Sequence, residues 1–306
     1  MEPAILARGV KKRFRAVAAA DGIDLEVPRG SCFGLIGANG AGKTTFIKLL
    51  LGIASADAGD IRVLGEDPRD VHSKKRIGYL PERLTIPESF SPLQFLQSVA
   101  GFRGVGSDSA ARRVEMERVL DVVGLERAAW KRASGKLSKG MKQRTGMAAA
   151  VLGSPELLIL DEPTDGIDPM GRAQIRDVIV QAQRAGATVF LNSHLLAESE
   201  KICDHVAILA RGRVMQSGSL DVLKRKDAHR VRFARSEGDV ERARRHGFFH
   251  VEDREEDRVY RMEGALSEQL SRALHAAIGD GLVVVEVARE TKDLEMLLRE
   301  STEAKP

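Results

Sequence analysis

One octapeptide, Gly37-Ala38-Asn39-Gly40-Ala41-Gly42-Lys43-Thr44, constrains this chain more than any other feature, because it matches the P-loop pattern G-x-x-x-x-G-K-[ST]. It follows the apolar run Cys32 to Ile36, which reads as a strand, and opens a helical segment through Leu51. The glycines let the backbone wrap around phosphate oxygens, while the helix N-terminus aims amide hydrogens and its positive dipole end at them. Lys43 is the candidate for neutralising the β- and γ-phosphates, and the Thr44 hydroxyl for holding Mg²⁺. Thr45 completes the run of candidate nucleotide-binding residues.

A P-loop alone leaves kinases, GTPases and many ATPases open. The second element lies 118 residues beyond Lys43, where Leu157-Leu158-Ile159-Leu160 reads as a buried strand ending in Asp161 and Glu162. In this Walker B pattern Asp161 supports Mg²⁺ and Glu162 polarises the attacking water. The pattern alone also fits a core strand reaching a polar loop; its pairing with the P-loop decides for chemistry. The asparagine–lysine–x–aspartate pattern that reads guanine does not occur, which argues against a GTPase.

Around these motifs strand and helix signals alternate over the first 220 or so residues, as in a mainly parallel sheet with helices on both faces. Strands are expected at Cys32 to Ile36, Leu157 to Leu160, Thr188 to Leu191 and Val206 to Ala210, with antiparallel strands at Ile5 to Val10 and Ile23 to Val27. Pro92 to Leu152 is largely helical and reads as an insertion. After Lys226 the pattern changes: Val231 and Phe233 alternate with arginine, and Leu266, Leu270, Leu274 and Ile278 keep helical spacing before a strand at Leu282 to Val287. The expected class is α/β, a P-loop NTPase (RecA-like) core over residues 4–227 with an N-terminal antiparallel portion and a helical insertion at about 83–150. A small α+β domain is expected over 228–306.

The net charge of +4 divides unevenly, +7 through residue 228 and −3 beyond it. The basic clusters, such as Lys11 to Arg15 and Lys131 to Arg144, carry no recognised nucleic-acid motif, so no nucleic acid is expected. No run approaches the roughly 18 apolar residues of a membrane span, and Met1 to Arg8 lacks a secretory pattern. Cys32 and Cys203 are too few for a disulfide framework and read as small buried residues in a reducing cytoplasm.

Further motifs carry a family resemblance. Leu137-Ser138-Lys139-Gly140-Met141-Lys142-Gln143-Arg144 resembles the ATP-binding cassette (ABC) signature just upstream of Walker B. Glu162-Pro163-Thr164-Asp165-Gly166-Ile167-Asp168-Pro169 is similar to the family's catalytic glutamate and D-loop, and Leu191-Asn192-Ser193-His194 to its switch histidine. The resemblance covers roughly residues 4 to 226. It implies ATP and Mg²⁺ as cofactors and Glu162 and His194 as catalytic residues. Ser138, Gly140 and Asp168 become nucleotide contacts, with Ser138 capping a helix that faces the other subunit's γ-phosphate. Phe14 falls where an aromatic stacks on adenine, although core packing fits it equally. The usual glutamine after Leu80-Pro81 is Glu82, which retains an oxygen for Mg²⁺ but loses a donor. Lys139 and Met141 replace the usual glycine and glutamine.

By this resemblance the chain is an ATP-hydrolysing subunit, dimerising with a copy or a similar ATPase around two ATP molecules. It drives a separate membrane permease from the cytoplasmic face, and its motif forms look like the branch serving six-helix exporters. Residues 82–102 are then candidates for the permease contact. A soluble ABC protein of DNA repair or translation is disfavoured by the single cassette without sustained heptads. A non-catalytic nucleotide-binding module is disfavoured by intact Lys43, Asp161, Glu162 and His194.

Overall fold

Two strands open the chain as a hairpin, β1 (Ile5–Phe14) and β2 (Val17–Val27), and their alternating burial sets one face inward. The computed structural model describes residues 2–264 and 267–303. β3 (Cys32–Ile36) is buried along its whole length and leads through the P-loop into α1 (Lys43–Leu50). β4 (Ala58–Val63) returns to the free edge of β1, giving an antiparallel sheet in the order β2-β1-β4. The expected Ile23 to Val27 strand is thus the second half of a longer one.

The chain continues through α2 (Val71–Lys75) and β5 (Ile77–Leu80) into the helical insertion, α3 (Pro92–Arg103), α4 (Ser109–Val122) and α5 (Lys139–Val151). Each start is encoded locally. Ser91 and Gln94 form a capping box ahead of Pro92, Asp108 accepts from Ala110 and Ala111 amides, and Ser138 accepts from Met141. The buried Trp130 sits here, its Nε1 donating to the Leu125 carbonyl at 2.8 Å.

Next come β6 (Leu157–Asp161), α6 (Pro169–Arg184), β7 (Thr188–Asn192), α7 (Leu196–Ser199), β8 (His205–Ala210) and β9 (Arg213–Ser219). The core sheet runs β5-β6-β7-β3-β8-β9, parallel except for β9. Its central strands are almost wholly apolar because both faces are covered. Phe46 of α1 packs on Phe190 of β7, which stacks on Phe33 of β3 at 5.9 Å between ring centroids, so aromatic packing ties the P-loop helix to the sheet. Both cysteines are buried and free, and among the described residues no helix is long and apolar enough to cross a membrane.

The chain divides into two compact units, one running to Leu220 and including the chain from Leu298, the other Asp221–Leu297. The second begins with α8 (Leu220–Lys224) and β10 (Arg225–Ala234), so the change of pattern at Lys226 falls inside a strand already under way. It continues with α9 (Asp239–Arg245), β11 (Phe249–Asp253), β12 (Asp257–Glu263), α10 (Ser267–Gly279) and β13 (Val284–Thr291); of the last helix, α11 (Leu294–Glu303), only the start to Leu297 belongs to it. The antiparallel order is β11-β12-β10-β13 over a core of Val231, Phe233, Phe248 and Tyr260. Of the expected helical stripe, Leu270 and Leu274 pack on this core and Ile278 is exposed, with Ala277 buried in its place; Leu266 lies outside the described residues.

The contact between α5 and β5 sets where the insertion meets the sheet, and it depends on a missing side chain. A methyl on Gly78 would come within 2.0 Å of the Ala150 carbonyl oxygen. Gly78→Ala therefore forces the helix off the strand, and overpacking of this kind costs about 1 to 3 kcal/mol. Urea unfolding followed by the fluorescence of the single tryptophan, Trp130, should shift by that amount; an unchanged midpoint would show that the contact is soft.

Candidate active site

At the carboxyl ends of β3, β6 and β7 lies a cavity of about 520 Å³. Asn39, Gly40, Gly42, Lys43, Thr44 and Thr45 form one side of it, Glu82, Glu162, Asp165, Asn192 and His194 another, and Val17 and Ala19 of β2 close it. Gly42 has a φ of +109°, and a methyl there would sit 2.2 Å from the Ala19 carbonyl oxygen. No other residue lets the loop pass β2 and enter α1. Lys43 is buried, and its Nζ donates to the carbonyls of Gly37 at 2.6 Å and Ala38 at 3.1 Å. Burial pulls its pKa down, against the opposing pull of Glu162, Asp161 and Glu82.

Asp161, only 1% exposed, ends β6 and accepts a hydrogen bond from Asn192 Nδ2 at 2.5 Å. Burial nevertheless pushes its carboxyl above the ordinary aspartate range, and the nearby Glu82 charge adds to the rise. Glu162 follows in the left-handed region, at φ +53°. Its amide donates to Asn192 O at 2.9 Å, and Gln143 Nε2 of α5 donates to its carbonyl at 3.0 Å. The Glu162 carboxylate accepts from the His194 amide at 2.9 Å, and His194 Nδ1 lies 2.7 Å from its other oxygen. Burial raises the Glu162 pKa, opposed by His194. The Glu162 carboxylate and the buried Lys43 thus line the same cavity.

The signature segment lies beside this turn. Lys139 Nζ bridges to Asp165 at 2.7 Å, which holds that carboxyl below its usual range, and Gly140 packs under the Gly166 carbonyl. Asp168 caps α6, accepting from the Gly171 amide at 2.9 Å, the bond that keeps its own pKa low. The cavity therefore gathers Asn39, Gly40, Gly42, Lys43, Thr44, Thr45, Glu82, Glu162 and His194 from the sequence-derived set. Gly37 and Ala38 contribute the carbonyls that hold Lys43, and Asp161 lies beneath the cavity wall. Ala41, Phe14, Ser138, Gly140 and Asp168 are outside the wall. The Phe14 ring is half exposed at the end of β1, with Lys12 Nζ 5.5 Å from its centre, so it is not a core residue.

The family model described as ABC transporter matches residues 20–165. The bacitracin transport ATP-binding protein BcrA of Bacillus licheniformis is 31% identical over 303 residues, covering 96% of each chain. The chain belongs to the ABC transporter family. An uncharacterised ABC transporter ATP-binding protein of Nostoc sp. is 46% identical over 208 residues, 68% of this chain, which spans 62% of that relative's length. A solved ATP-binding subunit of an ABC transporter superposes with a TM-score of 0.66 at 29% identity, over 72% of this chain and 91% of that one. The fold is that of an ABC ATPase cassette.

Two residues of this cassette escaped the motif reading. Asn192 supports Asp161 because β6 and β7 pair with Asp161 opposite Asn192, a register no local pattern announces. Gln143 lies one helical turn past Lys139, and only the packing of α5 against the Glu162 turn gives it a role.

The raised carboxyl pKa values give a signed prediction. Asp161 holds its proton to higher pH in the fold than in the unfolded chain, so from about pH 4 upward the native chain binds more protons. Its contribution to stability falls as pH rises through that window. At pH 7.5, without nucleotide, Asp161→Asn should raise the Tm, by roughly 2 to 4 °C for each kcal/mol recovered, and the gain should vanish near pH 4. A lower Tm at pH 7.5 would contradict the desolvation account.

Proposed function

We propose that this chain hydrolyses ATP as the motor subunit of a transporter, driving a separate membrane permease. The observation that carries the reading is the Glu162 carboxylate held by His194 on one side of the cavity, with Lys43 in the P-loop opposite. Lys43 and the amides at the start of α1 bind and orient the phosphates, releasing the Gly37 and Ala38 carbonyls as they do so. Glu162 takes a proton from the attacking water, and the His194 contact keeps its carboxylate aimed. Thr44, Glu82 and Asp161 are hard oxygen donors, two of them carboxylates, a set that suits Mg²⁺. When bound, Mg²⁺ supplies charge neutralisation at the β- and γ-phosphates.

Ser138 and Gly140 open α5 outside the cavity, which supports a head-to-tail dimer in which they face the second subunit's nucleotide. The resemblance of the Leu80-Pro81-Glu82 and signature forms to the exporter branch supports export, with the chain on the cytoplasmic membrane face. The unit Asp221–Leu297 is assigned a regulatory or dimer-stabilising role.

Glu162→Gln keeps the shape and removes most of the basicity, so turnover should fall by about 10² to 10⁴ while ATP binding survives. The variant should accumulate as an ATP-bound dimer by light scattering. Lys43→Ala should instead weaken ATP binding and remain monomeric. Wild-type turnover in Glu162→Gln would remove Glu162 as the base; a wild type inactive even with its permease would favour a non-catalytic module.

A further inference from the structure

The nucleotide cavity carries more acid than base. Glu82, Glu162 and Asp165 line it against Lys43 and His194, and the buried Asp161 lies beneath its wall. Glu162 is the proposed base, and Glu82 and Asp161 are proposed Mg²⁺ ligands, which leaves Asp165 without a task. A bare carboxylate at this wall would repel a polyphosphate.

Asp165 is not bare. Lys139, outside the cavity wall and 26 residues away in sequence, reaches it with Nζ at 2.7 Å. The lysine stem lies flat across Gly166, where φ is +71° and a methyl would come within 2.6 Å of Lys139 Cδ and 2.8 Å of Cε. A side chain at position 166 would therefore displace the lysine from Asp165. The Asp165 amide donates to the Glu162 carbonyl at 3.2 Å, which ties the carboxylate to the turn that carries the proposed base. His194 adds to Lys139 in keeping Asp165 ionised, so the ion pair meets the cavity at its His194 end. Lys139 also stands where the family signature has glycine, so no shared motif assigns it this contact.

We propose that Lys139 is a positioning residue for the nucleotide of its own subunit: it draws the Asp165 carboxylate toward α5 and neutralises it, so that a γ-phosphate can occupy the end of the cavity beside His194. The inference rests on the ATP-binding reading of this cavity and adds a determinant of triphosphate over diphosphate. ADP lacks the group that a bare Asp165 would repel, so it depends less on the lysine. Solvent reaches both partners, whose side chains are 67% and 40% exposed, and its screening keeps the effect to several-fold.

Calorimetric titration of the full chain with the Mg²⁺ complexes of ADP and of the non-hydrolysable imido analogue of ATP tests this. In Lys139→Ala the Kd of the analogue should rise about three- to tenfold, and that of ADP by less than about twofold. Lys139→Arg should keep wild-type affinity for both. Asp165→Asn should bind the analogue at least as tightly as wild type, and adding Lys139→Ala to it should change nothing further, because the lysine acts only through the carboxylate. A lysine that merely braced α5 would show the same loss in both backgrounds and for both nucleotides. Equal loss for ADP, an unchanged Kd in Lys139→Ala, or a double variant as weak as Lys139→Ala overturns the inference. If the wild type binds neither nucleotide, the ATP-binding reading itself fails; if it binds both and Lys139→Ala matches it, only the inference fails.

Discussion

Glu162 stands in a backbone region that costs a non-glycine residue roughly 1 to 3 kcal/mol, and three elements hold it there. β7 fixes its amide through the Asn192 carbonyl, α5 fixes its carbonyl through Gln143, and the loop after β7 grips its carboxylate through His194. The strain is local, but it turns the carboxylate from the strand direction into the cavity, across from Lys43. A relaxed extended residue at this position would continue β6 and point its side chain elsewhere.

Helix α5 links what is otherwise separate. Its first turn carries Ser138, Lys139 and Gly140, its second places Gln143 under the Glu162 turn, and Gly146 and Ala149 floor a groove beside α3. A shift of this one helix therefore reaches Asp165 through Lys139 and the Glu162 turn through Gln143. The Lys139–Asp165 bridge is exposed and contributes little to stability, since such pairs are worth about 0 to 1 kcal/mol. Its effect is on where Asp165 stands at the cavity wall.

The parts of the site that depend on sequential neighbours were legible in the sequence. The strand before the P-loop, the glycine at position 42, the apolar run into Asp161 and Glu162, and the Ser138 cap each follow from local pattern, and the structure has each of them. What was not legible depends on pairing between distant segments. Asn192 reaches Asp161 through a register between two parallel strands, and Gln143 reaches Glu162 through helix packing over 19 residues of separation. Phe14 was ambiguous because an aromatic at a strand end reads the same whether it packs in a core or stands exposed where adenine could stack on it. In the second unit, the apolar spacing gave the helix but not which residues are buried: Ala277 is buried and Ile278 is exposed.

Steady-state ATP turnover of Gln143→Leu, measured beside its ATP affinity, tests most directly whether α5 holds Glu162, the proposed base, in place. The substitution keeps volume and removes both donors to the Glu162 and Pro163 carbonyls. The account predicts turnover reduced by about tenfold or more, equivalent to 1.4 kcal/mol or more of barrier, with ATP Kd within about twofold of wild type. Unchanged turnover, or an affinity that falls in step with the rate, would contradict it.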